Sequence, residues 1–233
     1  MRNRLVLSLS ALTAAAAFNV SGAAAQPASN SVYVEQVGSS NRADVRQSQT
    51  DGASGGQVIQ SGQGARASVT QSGKDSLFSV TQSGIGAHQA TIDQAGSSNS
   101  AVILQGGAAG HDALISQTGL GNQASIGQTG DLIGHIASVT QNGGSNFAQV
   151  TQSGSDQKAS LTQTGNGNNA QATQDGEANR LTFVQTGDGN GLTASQTGSG
   201  NSLAFTQIGN GLAGPVINQT GGMALIVTQT GAP

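Results

Sequence analysis

Glutamine recurs about every eleven residues from position 36 onward, and this spacing limits the possible folds more than any other feature of the chain. The series is Gln36, Gln47, Gln60, Gln71, Gln82, Gln94, Gln105, Gln117, Gln128, Gln141, Gln152, Gln163, Gln174, Gln185, Gln196, Gln207, Gln219 and Gln229. Eleven of the seventeen intervals are eleven residues long, and the others are ten, twelve or thirteen. Glycine stands two residues after the glutamine in seventeen of the eighteen units, Gln49 being the exception. Such a period specifies an architecture of stacked repeats, each packing on its neighbours.

Within each unit one parity is fixed. The residue two before the glutamine is apolar in all eighteen units, and the residue four before is mostly Ala. Six before is Asn in nine units: Asn30, Asn41, Asn99, Asn122, Asn146, Asn168, Asn179, Asn190 and Asn201. The other parity is mostly Ser, Thr and Gln. A period of two over seven residues predicts a β-strand with one constant face and one polar, solvated face. The glycine and the next two to four residues predict the turn, where length changes cost little.

A seven-residue strand cannot bury its apolar face alone. Two units make a strand–turn–strand–turn coil of 22 residues. Stacking coils pairs every strand with the strand two units later, parallel and in register. The fold class expected is therefore all-β: a β-solenoid of about nine coils with cross-β stacking. Identical side chains then form ladders, and Gln and Asn amides satisfy one another along the stack. Without such partners, buried amides would be costly. Charged residues are only 8% and aromatics 3%, with no Trp, so a thin Ala/Val core is expected rather than a large one. A disordered polar chain has similar composition but needs no apolar register.

Residues 1–25 differ in kind. Arg2 and Arg4 precede an apolar stretch from Leu5 to Val20, and Ala23-Ala24-Ala25 forms a small-residue cleavage site. This reads as a secretory signal peptide. A short leader, 26–29, follows, and the repeat region is 30–233. Without Arg2 and Arg4, six Lys+Arg face eleven Asp+Glu, a net charge of −5. The sequence has no second long apolar stretch to span a membrane. The expectation is an exported chain, soluble or assembled outside the cell. Cysteine is absent, so repetition and backbone ladders must supply stability in an oxidising space.

The residues point to no chemistry: no catalytic, cofactor or metal site is expected. Thiol catalysis and thiolate metal sites lack a Cys. Carboxylates are scattered, Ser lacks a nucleophile-elbow context, no glycine run ends in a phosphate loop, and no basic patch suits nucleic acid. His88, His111 and His135 each lie six before a Gln of alternate units, so they should stack on one face in three consecutive coils. They are either neutral stand-ins for Asn or a pH-sensitive stack. Phe183 and Phe205 form a second column on that face.

The N-x-A-x-x-x-Q-x-G unit, paired into about 22 residues behind a signal peptide, resembles the curlin repeat of bacterial curli fibres. Asn41-Ala43-Gln47, Gln94-Gly96-Asn99-Ala101-Gln105, Gln117-Gly119-Asn122-Ala124-Gln128 and Gln141-Gly143-Asn146-Ala148-Gln152 carry the resemblance. It extends over about residues 30 to 231. It implies a secreted subunit, exported through a dedicated outer-membrane pore, that polymerises with itself on a nucleator subunit into functional amyloid for biofilm matrix and adhesion. Family nucleators tend to end on a basic, divergent repeat. Here Asp188 is the last charged residue, which favours the major subunit; a minor, nucleating subunit is the alternative. A monomeric solenoid is the other. An ice-binding face would need outward T-x-T in most coils, and only Thr162-Gln163-Thr164 and Thr228-Gln229-Thr230 match. A monomeric adhesin would need capping segments, which neither end of the repeat resembles.

Overall fold

In a computed structural model, which describes residues 3–8, 30–48 and 52–231, the chain is built from β-strands and turns. The strands in chain order are β1 (Asn3–Ser8), β2 (Ser31–Ser39), β3 (Arg42–Ser48), β4 (Gly55–Gln63), β5 (Arg66–Lys74), β6 (Leu77–Gly84) and β7 (Gln89–Ser97). They continue with β8 (Ser100–Gly106), β9 (Asp112–Leu120), β10 (Gln123–Thr129), β11 (Ile136–Gly144), β12 (Phe147–Ser155) and β13 (Lys158–Asn166). The last are β14 (Asn169–Glu177), β15 (Arg180–Thr186), β16 (Gly191–Ser199), β17 (Ser202–Ile208), β18 (Val216–Thr220) and β19 (Ala224–Thr230). No helix among the described residues is long and apolar enough to cross a membrane.

The odd-numbered strands form one sheet and the even-numbered strands β2 to β18 the other. From β2 onward all pairing is parallel, each strand bonding the strand two later, with glutamine opposite glutamine. Consecutive pairs, β2 with β3 through β18 with β19, make nine coils, numbered here from the N-terminus. At about 4.8 Å per coil the stack is on the order of 40 Å tall. This is the parallel β-solenoid that the eleven-residue period specifies.

Alternation decides what fills the core. Apolar side chains at the two fixed positions bury into one continuous cluster from Val34 to Ile217. Volumes are traded where a large residue enters. Phe183 and Phe205 are fully buried in the odd sheet at the unit position where the even sheet has Ala172 and Ala194. In the even sheet the Phe78 ring occupies the space that a side chain at Gly56 would need.

Three details refine the sequence expectation. The strands run from five to nine residues rather than a uniform seven, because many continue through the glycine. That glycine is obligatory: Gly154 has φ +110°, and a Cβ on it would stand 2.1 Å from the Gly176 carbonyl oxygen in the next coil. Two residues later many turns hold a second left-handed residue, which is not always Gly: Ser98, Ser145, Asp156 and Ala178 all have φ between 47° and 57°. Lastly, Pro215 has no N–H to give a ladder, and β18 starts only after it.

β1 is the exception to parallel pairing. It lies antiparallel on the outer edge of β3, with Asn3 opposite Gln47 and Ser8 opposite Arg42. The N-terminal edge of the odd sheet is thereby covered, whereas that of the even sheet ends at β2. Next to β1, Asp44 is buried despite its outward parity; it is ion-paired to Arg46, and its second carboxylate oxygen has no partner.

Candidate functional site, the polar ladders and the open sheet edges

The glutamines stand in two columns, one per sheet. In the even sheet the series is Gln36, Gln60, Gln82, Gln105, Gln128, Gln152, Gln174, Gln196 and Gln219. Each Nε2 donates to the next Oε1 at 2.5–2.9 Å. In the odd sheet Gln47, Gln71, Gln94, Gln117, Gln141, Gln163, Gln185, Gln207 and Gln229 do the same at 2.6–3.1 Å. All are buried except Gln229, which is half-buried on the last strand.

From Gln82 to Gln219 the second proton of each amide crosses the core, as it does at Gln60. Gln117 Nε2 donates to the Ser100 carbonyl at 3.0 Å, and Gln174 Nε2 to the Lys158 carbonyl at 3.2 Å. A glutamine at the end of one strand thus ties down the start of a strand in the opposite sheet. The side chain suits both tasks because an NH₂ group carries two donors and the carbonyl oxygen accepts from below.

Asparagines fill the matching column at the strand entries. In the even sheet Asn99, Asn122, Asn146, Asn168 and Asn190 follow one another. Each Oδ1 accepts the backbone N–H one coil on, Asn99 from Asn122 at 3.0 Å and Asn146 from Asn168 at 3.0 Å. Their Nδ2 groups donate to glycine carbonyls of the neighbouring turns, as Asn146 does to Gly165 at 2.8 Å. In the odd sheet Asn41 heads the column, and Asn179 and Asn201 close it with the same bonds. The five central even-sheet asparagines form one unbroken run; the odd-sheet asparagines do not.

Between them lie His88, His111 and His135. Their rings stack at centroid separations of 5.0 and 4.8 Å, with interplanar angles of 18° and 3°. Each Nδ1 accepts a backbone N–H one coil on: from His111 at 3.3 Å, His135 at 3.0 Å and Gln157 at 3.2 Å. Each Nε2 meets a carbonyl oxygen, of Ser83, Gly106 or Thr129, at 2.9–3.0 Å. A backbone N–H can only donate and a carbonyl can only accept, so the rings are neutral with the proton on Nε2. Imidazole here performs the two tasks of the Asn amide. Burial lowers all three pKa values from the usual 6.5, and the flanking imidazoles help to take His111 to about 4. Asp156, in the turn before β13, works against this at His135. Among the described residues no group of His, Cys, Asp and Glu is arranged to hold a metal ion.

Sequence reasoning missed several members of these columns. Ser54, Ser76 and Gln157 also lie six before a glutamine. Each hydroxyl of the two serines accepts the N–H of the next coil, Ser54 from Ser76 and Ser76 from Asn99, both at 3.2 Å. Gln157, one methylene longer than Asn, donates to Ser153 and Gly176 carbonyls but leaves its Oε1 without a partner. A further ladder runs through the turns: Gly144 N–H to Asn166, Asn166 N–H to Asp188 and Asp188 N–H to Asn210, at 2.7–2.9 Å. The constant 22-residue spacing of Asn166, Asp188 and Asn210 was the signal for it.

The ladders have direction. At the C-terminal end Gln219 and Gln229 have no following glutamine; Gln219 Nε2 turns instead to the Ser202 and Met223 carbonyls at 3.1 and 3.2 Å, and at the N-terminal end no described residue donates to Gln36 or Gln47 Oε1. The strand edges match: β18 and β19 end their sheets, β2 begins one, and β1 covers the other. One end therefore offers amide donors and the other amide acceptors, on the same cross-section. A stack of coils with two polar ladders and unfinished edges is a structural repeat protein. The model of the curlin associated repeat matches residues 89–119 and 137–165. Each match spans a strand–turn–strand–turn coil and the strand that follows it, β7 to β9 and β11 to β13, so the chain carries curlin associated repeats there. No curated protein matches the chain.

Proposed function

We propose that this chain is the major subunit of a curli-type amyloid fibre, secreted and polymerised outside the cell by coils stacking end to end. In this reading residues 1–25 are removed on export, and the fibre serves matrix formation and adhesion. A nucleating subunit and an outer-membrane pore are its partners, as the curlin repeats suggest. The observation that carries the proposal is the complementarity of the two ends. The Nε2 donors of Gln229, and of Gln219 once it exchanges the Met223 carbonyl for an incoming glutamine, fit the acceptors of Gln47 and Gln36 of another copy, and sheet edges continue sheet edges. Removing residues 1–25 removes β1 and frees the edge of β3. The charge-free stretch after Asp188 favours the growing subunit over a nucleator, since it leaves the C-terminal edge without charges that would deter pairing.

The test is elongation of purified protein on preformed seeds. Gln219→Ala with Gln229→Ala, at the donor end, should slow elongation about tenfold, since each unpartnered buried amide costs about 1–3 kcal/mol. A chain starting at Gln26 should elongate faster than one retaining residues 1–25. In the middle of a ladder, Gln117→Ala with Gln141→Ala should slow assembly far more than the outward pair Ser116→Ala with Thr140→Ala, which should stay within about 0.5 kcal/mol. Equal effects of the inward and outward pairs, or wild-type elongation by the end variant, would overturn the proposal.

A further inference from the structure

The two outer faces of the solenoid differ in charge in a way that composition hides. Beyond residue 25 the chain has six Lys and Arg, and all six lie on odd-sheet strands: Arg42 and Arg46 on β3, Arg66 and Lys74 on β5, Lys158 on β13, Arg180 on β15. The even-sheet strands carry Glu35, Asp175 and Glu177 and no cation. Four of the cations share one column at the strand entries. Arg42 stands beside Arg66, and Lys158 beside Arg180, as direct neighbours in register. Like charges side by side on a sheet are unfavourable. Among the described residues only Arg46 and Lys158 have a carboxylate partner, so Arg42, Arg66 and Arg180 are exposed without one.

The acids and bases also coincide in position. Arg42 and Glu35 belong to coil 1, and Arg180, Asp175 and Glu177 to coil 7. Within the molecule the odd-strand entries lie behind the even-strand exits: Gln60 bonds the Arg42 carbonyl at 3.1 Å, and Gln196 the Arg180 carbonyl at 3.0 Å. Asp175 and Glu177 occupy the exit of β14, and Glu35, which accepts from Tyr33 Oη, stands one residue before Gln36 in β2. Translating one solenoid along its sheet normal by one slab thickness therefore brings the basic column of its odd face over the acids of its neighbour's even face. Between the charged zones each face carries apolar side chains at matching heights among its Ser and Thr, Leu114 and Ile136 on the odd face and Leu104 beside Val102 on the even face, with exposed Asp112 beside Ile136. Pointing the neighbour the opposite way would instead set Asp93 of coil 3 against Asp175 and Glu177 of coil 7.

We propose that the odd face of one solenoid docks on the even face of a second copy, unstaggered and pointing the same way, so that stacks pair side by side. Arg180 meets the Asp175 and Glu177 carboxylates, and Arg42 meets Glu35. The docking needs only two aligned solenoids, so it can fail while end-to-end growth succeeds.

Charge reversal tests it on the full chain. Arg42→Glu with Arg180→Glu reverses the odd face, and Glu35→Arg with Glu177→Arg the even face. The odd-face changes also relieve the like-charge contacts with Arg66 and Lys158, so folding is not put at risk. Side-by-side pairing is read by electron microscopy and sedimentation of the stacks, and growth by seeded elongation. Each double variant should lose lateral association about tenfold at low salt with elongation unchanged. The quadruple variant, with both faces reversed, should pair like wild type. High salt should separate wild-type stacks, because exposed pairs are screened beyond about 10 Å at 0.1 M. Pairing that survives either double variant, or fails to return in the quadruple, overturns the proposal. So does a basic face that binds a sulfated polyanion while wild-type stacks never pair; that result would assign the face to a polyanion.

Discussion

The strand entries of the two sheets solve one problem with two chemistries. In the even sheet an unbroken run, Asn99 to Asn190, accepts the N–H of each following coil through an amide oxygen. In the odd sheet His88, His111 and His135 accept it through a ring nitrogen. The hydrogen-bond pattern is the same, but only one side can be switched off by a proton. A protonated Nδ1 is a second donor aimed at a backbone donor, stacked within 5.0 Å of another imidazole. The comparison teaches that this column selects an acceptor at a fixed point rather than an amide as such, and the choice of acceptor sets how the coil responds to acid.

The largest effect should come from removing the acceptor outright. Asn146 Oδ1 accepts from both the backbone and the side chain of Asn168, and its Nδ2 donates to Asn122 and Gly165. Asn146→Leu keeps the γ-branched outline and loses all of these, leaving buried partners unmet. A loss of about 4 kcal/mol in urea unfolding is expected, and a loss under about 1 kcal/mol would show that the column does not hold the coils together.

Acid should break the odd-sheet column and spare the even one. The folded pKa values of the three histidines lie below the ordinary 6.5. A base whose folded pKa is depressed contributes stability above its unfolded pKa, and that stability is lost as pH falls through the window between the two. For His111 the window runs from about 6.5 to about 4 and is worth on the order of 3 kcal/mol when fully crossed. Wild type should therefore weaken between about pH 6.5 and 4, while the triple His→Asn variant should lose much of this sensitivity. Carboxylates titrate in both and cancel in the comparison. Superimposable pH profiles would make the histidines plain substitutes for Asn.

A smaller gain is expected where the odd column breaks its own rule. Gln157→Asn shortens the side chain by the methylene that strands its Oε1, and should stabilise by about 1 kcal/mol in thermal unfolding. Smallest of all, His111→Asn alone at pH 7.5 should stay within about 0.5 kcal/mol of wild type, because the neutral ring already makes the bonds an Asn would make.

How much of this the sequence disclosed follows from how each feature is encoded. Period and parity were legible because every unit repeats them, so nine coils, parallel register and the columns in which Gln36 to Gln229 stand followed from spacing alone. The stacking of His88, His111 and His135 followed from their offset of six in alternate units. Direction was not legible: nothing in a Gln-x-Gly unit says that Nε2 points toward the C-terminal coils, or that its second proton crosses to the opposite sheet. The left-handed position after the glycine was obscured because Ser145 and Ala178 occupy it as well as Gly. The pairing of β1 with β3 involves a segment outside the repeat, so no period could foretell it. The charge difference between the faces was encoded openly, but it emerges only when residues are sorted by odd and even unit.

The central claim is that these coils continue from one molecule into the next as they do within one. X-ray diffraction from aligned fibres of the purified chain tests it most directly. Continuous stacking predicts a strong meridional reflection near 4.7–4.8 Å, along the fibre axis, with a broad equatorial one near 10 Å. A soluble protein that forms no fibres at high concentration, or fibres whose 4.7–4.8 Å reflection falls on the equator, would contradict it.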